Sequence, residues 1–209
     1  MLNKHIAFIA AVGCMAALSV RADVPTLGVT IPGSFTDYGS STWNLGWSFT
    51  VNTPTTVYGL GNIDINLDAF AGTPQKVGLW DSTGTLLASV SVDNTGTLVG
   101  DWRFESITPL DLTVGQSYVV GGQGGADYTG DTAVTVDSSI TYTSDLYTIT
   151  SLSDPLTEPA LTEGLTTPGN AGWFGANLLL TPATPTPEPG TLALAGLGVA
   201  GFLAARRRK

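Results

Sequence analysis

Between Asp23 and Leu180 the chain alternates apolar and polar residues in short runs, and turn formers interrupt it every 8 to 12 residues. Period-two alternation places every second side chain on one face of a strand. Trp43 to Val51 reads as such a strand and ends at Asn52-Thr53-Pro54. Thr56 to Phe70 reads as the next, with Ile63, Ile65 and Leu67 on one face and Asp64, Asn66 and Asp68 on the other. Lys76 to Asp81 and Thr85 to Val92 flank Ser82-Thr83-Gly84 and read as a hairpin. Leu98 to Glu105 and Gln116 to Gly122 continue the pattern, with Leu110, Leu112 and Val114 between them, and Trp173 to Leu180 closes it. Asp127 to Gly169 is less regular, with short strands expected around Ala133–Val136 and Leu146–Thr150. No segment of this region has the 3.6-residue period of a helix.

Composition sharpens the picture. The chain has 209 residues, 26 Gly and 12 Pro, and only 12% charged residues, about half the usual share. Many β-branched residues and many turn formers favour an all-β domain, and the strand spacing favours a β-sandwich of jelly-roll-like form.

The two ends break the pattern. Residues 1–22 carry Lys4 and then an apolar run, and Val20-Arg21-Ala22 forms a cleavage box, so they read as a signal peptide removed by signal peptidase. Residues 23–181 form the β-sandwich domain, and residues 182–190 a Pro-rich linker, extended and semi-rigid. Residues 191–205 carry no charge and would make a helix of about 22 Å, a marginal span of a bilayer core of about 30 Å. Residues 206–209, Arg-Arg-Arg-Lys, would stay cytoplasmic and leave the domain outside. Together the ends describe an exported protein held transiently at the inner membrane, then released to the cell surface or beyond.

Pro187-Glu188-Pro189, the apolar helix and the terminal Arg206, Arg207 and Arg208 follow one another in a three-part order. This tail resembles the PEP-CTERM sorting signal of Gram-negative bacteria. The resemblance implies recognition and processing by an exosortase, and a host that makes exopolysaccharide. Upstream, "KVGLWDSTGTLLASVSV", "PLDLTVGQSYVVGG" and "WFGANLLL" resemble secreted β-sandwich modules found ahead of such tails. That likeness implies the fold, with a general similarity to carbohydrate-binding sandwiches, and no site.

Charge and residue types restrict the chemistry. The only His is His5 and the only Cys is Cys14, both in the signal peptide. The exported domain therefore has no Ser-His-Asp triad, no Cys nucleophile, no His or Cys zinc site and no disulfide. From Asp23 to Pro187, Lys76 and Arg103 face 16 carboxylates, a net charge of −14. That balance excludes nucleic acid as a partner, since phosphate contact needs a basic face.

Carboxylates and aromatic rings remain as candidate chemistry. Asp64, Asn66 and Asp68 resemble the start of a calcium loop, but Ala69 and Gln75 stand where an EF-hand needs Gly and Glu. On a strand they would form a solvent-facing polar row. Asp127 and Asp131, with Asp137 beyond, sit in or after a Gly-rich stretch that calcium could stiffen. No other cofactor is called for. Glu105 with Asp101 or Asp111 could serve a carboxylate-only hydrolase. The five Trp read mainly as core, whereas Tyr38 and Tyr128 sit in loops suited to stacking on sugar rings. The expectation is a non-enzymatic surface or matrix protein associated with exopolysaccharide or biofilm; the alternatives are a carboxylate-dependent polysaccharide hydrolase and a passive glycosylated surface protein.

Overall fold

The computed structural model describes residues 24–32, 36–39, 43–68, 70–123, 127–131, 134–151, 153–160 and 172–182. Residues 1–22, read above as a signal peptide, Pro187-Glu188-Pro189, residues 191–205 and Arg206 to Lys209 lie outside the described residues. Among the described residues no helix is long and apolar enough to cross a membrane.

Among the described residues, fourteen strands build an all-β sandwich. They are β1 (Thr26–Leu27), β2 (Val29–Thr30), β3 (Trp43–Val51), β4 (Thr55–Ile63), β5 (Gln75–Asp81), β6 (Leu86–Val92), β7 (Thr97–Val99), β8 (Trp102–Leu112), β9 (Ser117–Gln123), β10 (Thr129–Asp131), β11 (Thr135–Val136), β12 (Ile140–Ile149), β13 (Gly172–Phe174) and β14 (Ala176–Pro182). One five-stranded sheet has the order β1-β14-β4-β8-β7 and the other β12-β3-β9-β5-β6. All strand pairs in both are antiparallel. Two small pairs, β10–β13 and β11–β2, stand beside them.

The core follows from alternation. Trp47, Phe49 and Val51 of β3, Val77 and Leu79 of β5, and Val120 of β9 face inward from one sheet. Val57, Leu60 and Ile63 of β4, Phe104 of β8, and Leu178 and Leu180 of β14 meet them from the other. The Trp47 indole N–H crosses between the sheets to donate to the Ala176 carbonyl at 2.9 Å. Asn177, buried, binds both backbone groups of Val29 and so pins β2 to β14.

Three expectations change. β4 stops at Ile63, and residues 64–68 form a turn, because Leu67 and Phe70 have φ of 55° and 60°, which no strand accommodates. Asp64 is fully buried and Leu67 half exposed, the reverse of a strand with apolar residues inward. The run Leu98 to Glu105 is not one strand but the hairpin β7–β8, folded at Gly100 with φ 61°. Trp173 to Leu180 divides at Gly175, whose carbonyl accepts from Ile63 N–H at 2.9 Å.

The irregular region also has a defined place. Residues 153–160 run as a strap over the outer face of the second sheet. Gly46, Gly121 and Gly78 lie side by side across β3, β9 and β5 and leave a channel in that face. A Cβ on Gly121 would sit 2.7 Å from Pro159, and one on Gly78 would sit 3.0 Å from Leu156. Buried amides hold the strap: Asn44 Nδ2 donates to the Thr157 carbonyl, and Gln123 Nε2 to that of Asp154. Lys76 Nζ donates to the same Asp154 carbonyl at 2.7 Å. Gly121→Val is therefore expected to lift the strap and destabilise the fold by about 1–3 kcal/mol. Limited proteolysis of the variant should cut within residues 153–160 faster than in the parent; an unchanged rate would show that the channel does not hold the strap.

Candidate functional site

Two loops and one turn meet at the end of the sandwich where β4 stops. Backbone N–H of Tyr38 donates to the Tyr128 carbonyl at 3.0 Å, joining the loop at residues 36–39 to the entrance of β10. Each loop carries an Asp-Tyr dipeptide, Asp37-Tyr38 and Asp127-Tyr128. Each supplies one carboxylate to an acidic group and one ring to an aromatic group.

The acidic group is built on the turn after β4. Asp64, Asp68 and Asp127 each present a carboxylate oxygen, and these atoms lie within 4.8 Å of one another. Asp127 Oδ2 accepts from the Ile65 backbone N–H at 2.9 Å, so the turn positions it. Asn66 Nδ2 donates to Asp37 Oδ2 at 3.2 Å and draws a fourth carboxylate close. One cation offsets this charge. Arg103 of β8 donates through Nε to Asp64 Oδ2, and Arg103 is only 15% exposed. Burial, reinforced by Asp37, Asp68 and Asp64, pushes the Asp127 carboxyl up to about 6, against the pull of the Ile65 N–H.

The solvent-facing row expected for Asp64, Asn66 and Asp68 is therefore not formed. A strand would have turned all three to solvent, whereas the turn buries Asp64 on Arg103 and swings Asp68 toward Asp127. Two stretches read separately in the sequence, one at Asp64–Asp68 and one at Asp127, form a single group. Asp131 ends β10 opposite Gly172. Asp37 and Arg103 were not singled out as site residues; the repeated Asp-Tyr dipeptide was the signal available for Asp37. Carboxylate oxygens at this spacing suit a hard cation such as calcium, whose bonds to oxygen are about 2.3–2.6 Å.

The carboxyl of Asp127 has a directional consequence for stability. Its folded pKa lies above the unfolded value, so the folded state holds the proton more tightly. Stability from this group is complete below about pH 4. It is lost as pH rises through about 6. In chelator, Asp127→Asn should melt higher than the parent at pH 8 and show a flatter stability profile between pH 4 and 6. A profile identical to the parent's would contradict the assignment.

The aromatic group lies beside the acidic one. Tyr38 stacks on Tyr128 with ring centres 6.0 Å apart, and Trp173 of β13 packs edge-on against Tyr38 at 5.1 Å and Tyr128 at 5.8 Å. Trp173 is placed by the pairing of β13 with β10, in which Gly130 faces it. Trp43, Leu45, Tyr128 and Trp173 line an open cleft of about 100 Å³. The cleft is open to solvent and does not enclose a ligand. Tyr38, 48% exposed, packs on two of the lining residues, Tyr128 and Trp173. Trp47, Trp80 and Trp102 are buried as expected of core residues, while Trp43 and Trp173 join Tyr38 and Tyr128 at the surface.

Residues 29–177 match the family described as Domain of unknown function (DUF4082), and the chain belongs to that family. Residues 185–209 match the PEP-CTERM protein-sorting motif. The protein is thus an exported one whose tail is processed by an exosortase. In a comparison with curated proteins, nothing matches the chain.

Proposed function

We propose that the domain is a non-enzymatic glycan-binding module, sorted to the cell surface or matrix and associated there with exopolysaccharide. The observation that carries this reading is the joined cluster of Tyr38, Tyr128 and Trp173 beside the Trp43 cleft. Apolar ring faces of a pyranose stack on such a surface, and adjacent carboxylates accept hydrogen bonds from its hydroxyls. The nearby negative charge favours a neutral glycan over an anionic one.

Of the carboxylates considered for hydrolysis, Glu105 and Asp111 stand opposite Leu60 and Thr56, four residues apart on β4. At about 3.3 Å per residue they are roughly 13 Å apart along the sheet, beyond the 5–9.5 Å of glycosidase pairs. Asp111 is also engaged by the Thr56 hydroxyl.

Co-sedimentation of the protein with the host's exopolysaccharide tests the reading. Saturable binding that falls at least tenfold in Tyr128→Ala is expected. Equal binding by parent and variant would remove the aromatic cluster from the account, and shortened polysaccharide would make the module a hydrolase. Calcium enters as a stiffener of the two Asp-Tyr dipeptides. It should raise the melting temperature of the parent and not of Asp68→Asn; equal shifts would remove it from the reading.

A further inference from the structure

The second sheet ends on β6, and among the described residues nothing pairs with its outer side. Open strand edges are templates for another strand, and soluble proteins guard them with charges, prolines, bulges or brevity. The other described edges of this sandwich are guarded in those ways. β1 and β7 have two and three residues. β12 carries Asp145 and a bulge at Tyr142–Ser144. The part of β8 beyond β7 carries Glu105, Pro109 and Asp111.

β6 has none of these along its regular part. Its sequence, Leu-Leu-Ala-Ser-Val-Ser-Val, contains no charge and no proline. Its single irregularity lies at its start, where the pairing with β5 skips Leu87 and leaves Ala88 to Val92 in unbroken register. Ala88 and Val90 pack inward against the core, whereas Ser89 and Ser91 are exposed. In a domain with a net charge of −14 from Asp23 to Pro187, an exposed strand without charge is the place where two copies approach with least repulsion.

We infer that β6 is a self-association edge, pairing antiparallel with β6 of a second copy of this chain about a two-fold axis at Val90. In that register Ala88 lies opposite Val92 and Ser89 opposite Ser91. Inward residues meet inward residues, and hydroxyls meet hydroxyls. Asp93, at the end of the strand, falls opposite Leu87, so no carboxylate along the strand meets another. Each sheet of five strands continues into its partner's, giving ten. The second copy also covers the groove between β6 and β8 lined by Leu87, Val90, Ile107 and Leu110. Five paired residues bury less than the roughly 1,200 Å² of a standard interface, so the pair is weak in dilute solution and forms where copies are crowded.

Cysteine cross-linking of the full chain exported by its host tests the register. In a Cys14→Ser background no other thiol is present. Chains carrying Ser89→Cys, mixed with chains carrying Ser91→Cys, should form mixed disulfide dimers at least tenfold above either chain alone. A Ser117→Cys chain, exposed on β9, sets the background. Sedimentation equilibrium supplies a second readout: the parent should dimerise with concentration, and Ser89→Lys should remain monomeric with an unchanged melting temperature. Mixed cross-linking no higher than the Ser117→Cys background, or dimerisation undiminished in Ser89→Lys, would overturn the inference.

Discussion

Arg103→Ala is expected to cost about 3–5 kcal/mol of stability, the loss typical of removing one partner from a buried ion pair. Domains of this size are stable by about 5–15 kcal/mol, so the loss is a large part of the whole. The reason lies in what is left behind. Asp64 has no exposed surface and faces the carboxylates of Asp68 and Asp127 across the group, with Arg103 paired to it. Arg103 also donates through Nη1 to the carbonyls of Asn94 and Gly96 at 3.4 Å, so the turn before β7 loosens with it. Two controls separate charge from packing. Adding Asp64→Asn should restore part of the loss, because a neutral amide tolerates burial better than an unpaired carboxylate. Arg103→Lys should restore less than the parent's stability, because a point charge cannot reach Asp64 and both carbonyls together. Chemical denaturation checks all three. A cost below about 1 kcal/mol for Arg103→Ala would mean that the pair behaves as a solvent-exposed one and does not hold the turn.

Trp47→Ala is the second large effect, about 3–5 kcal/mol. Trp47 has no exposed surface and packs on Phe49, with ring centres 5.2 Å apart, and on Tyr142 at 6.2 Å. Truncation opens a cavity and also orphans the Ala176 carbonyl in the core. Trp47→Phe keeps most of the volume and loses only the donor, so it should cost about 1–3 kcal/mol. Ala176 follows Trp173 by three residues, across Gly175, so the same substitution should weaken glycan binding through loss of order in β13. Thermal and denaturant melts, read beside binding, separate the two effects. Equal stabilities of Trp47→Ala and Trp47→Phe would contradict a packed core at this position.

Much of this architecture was legible because alternation is a local signal. β3, the β5–β6 hairpin and β9 are found where the pattern of Trp43 to Val51, Lys76 to Val92 and Gln116 to Gly122 places them. The pattern misled beyond Ile63, where Ile65 and Leu67 keep the period of two while the backbone turns. What ends β4 is remote or conformational: Arg103, thirty-nine residues on, binds Asp64, and Leu67 and Phe70 take positive φ without being glycine. The glycine channel was equally hidden, since only the register brings residues 46, 121 and 78 together. At the site, loop context distinguished Tyr38 and Tyr128, but Trp173 and Trp43 sit on strands and looked like core. The sorting tail was the most readable part, because its meaning rests on the order of three chemical segments and on no tertiary contact.

The central claim is that a glycan rests on Trp173, Tyr128 and Tyr38. The most direct measurement is a nuclear magnetic resonance titration of the protein with fragments of the host's exopolysaccharide, following the five tryptophan indole N–H signals. The account predicts saturable shifts of the Trp173 and Trp43 signals, assigned by Trp→Phe variants, while the Trp47 signal stays fixed inside the core. Shifts confined to other tryptophans, or none at saturating glycan, would contradict it.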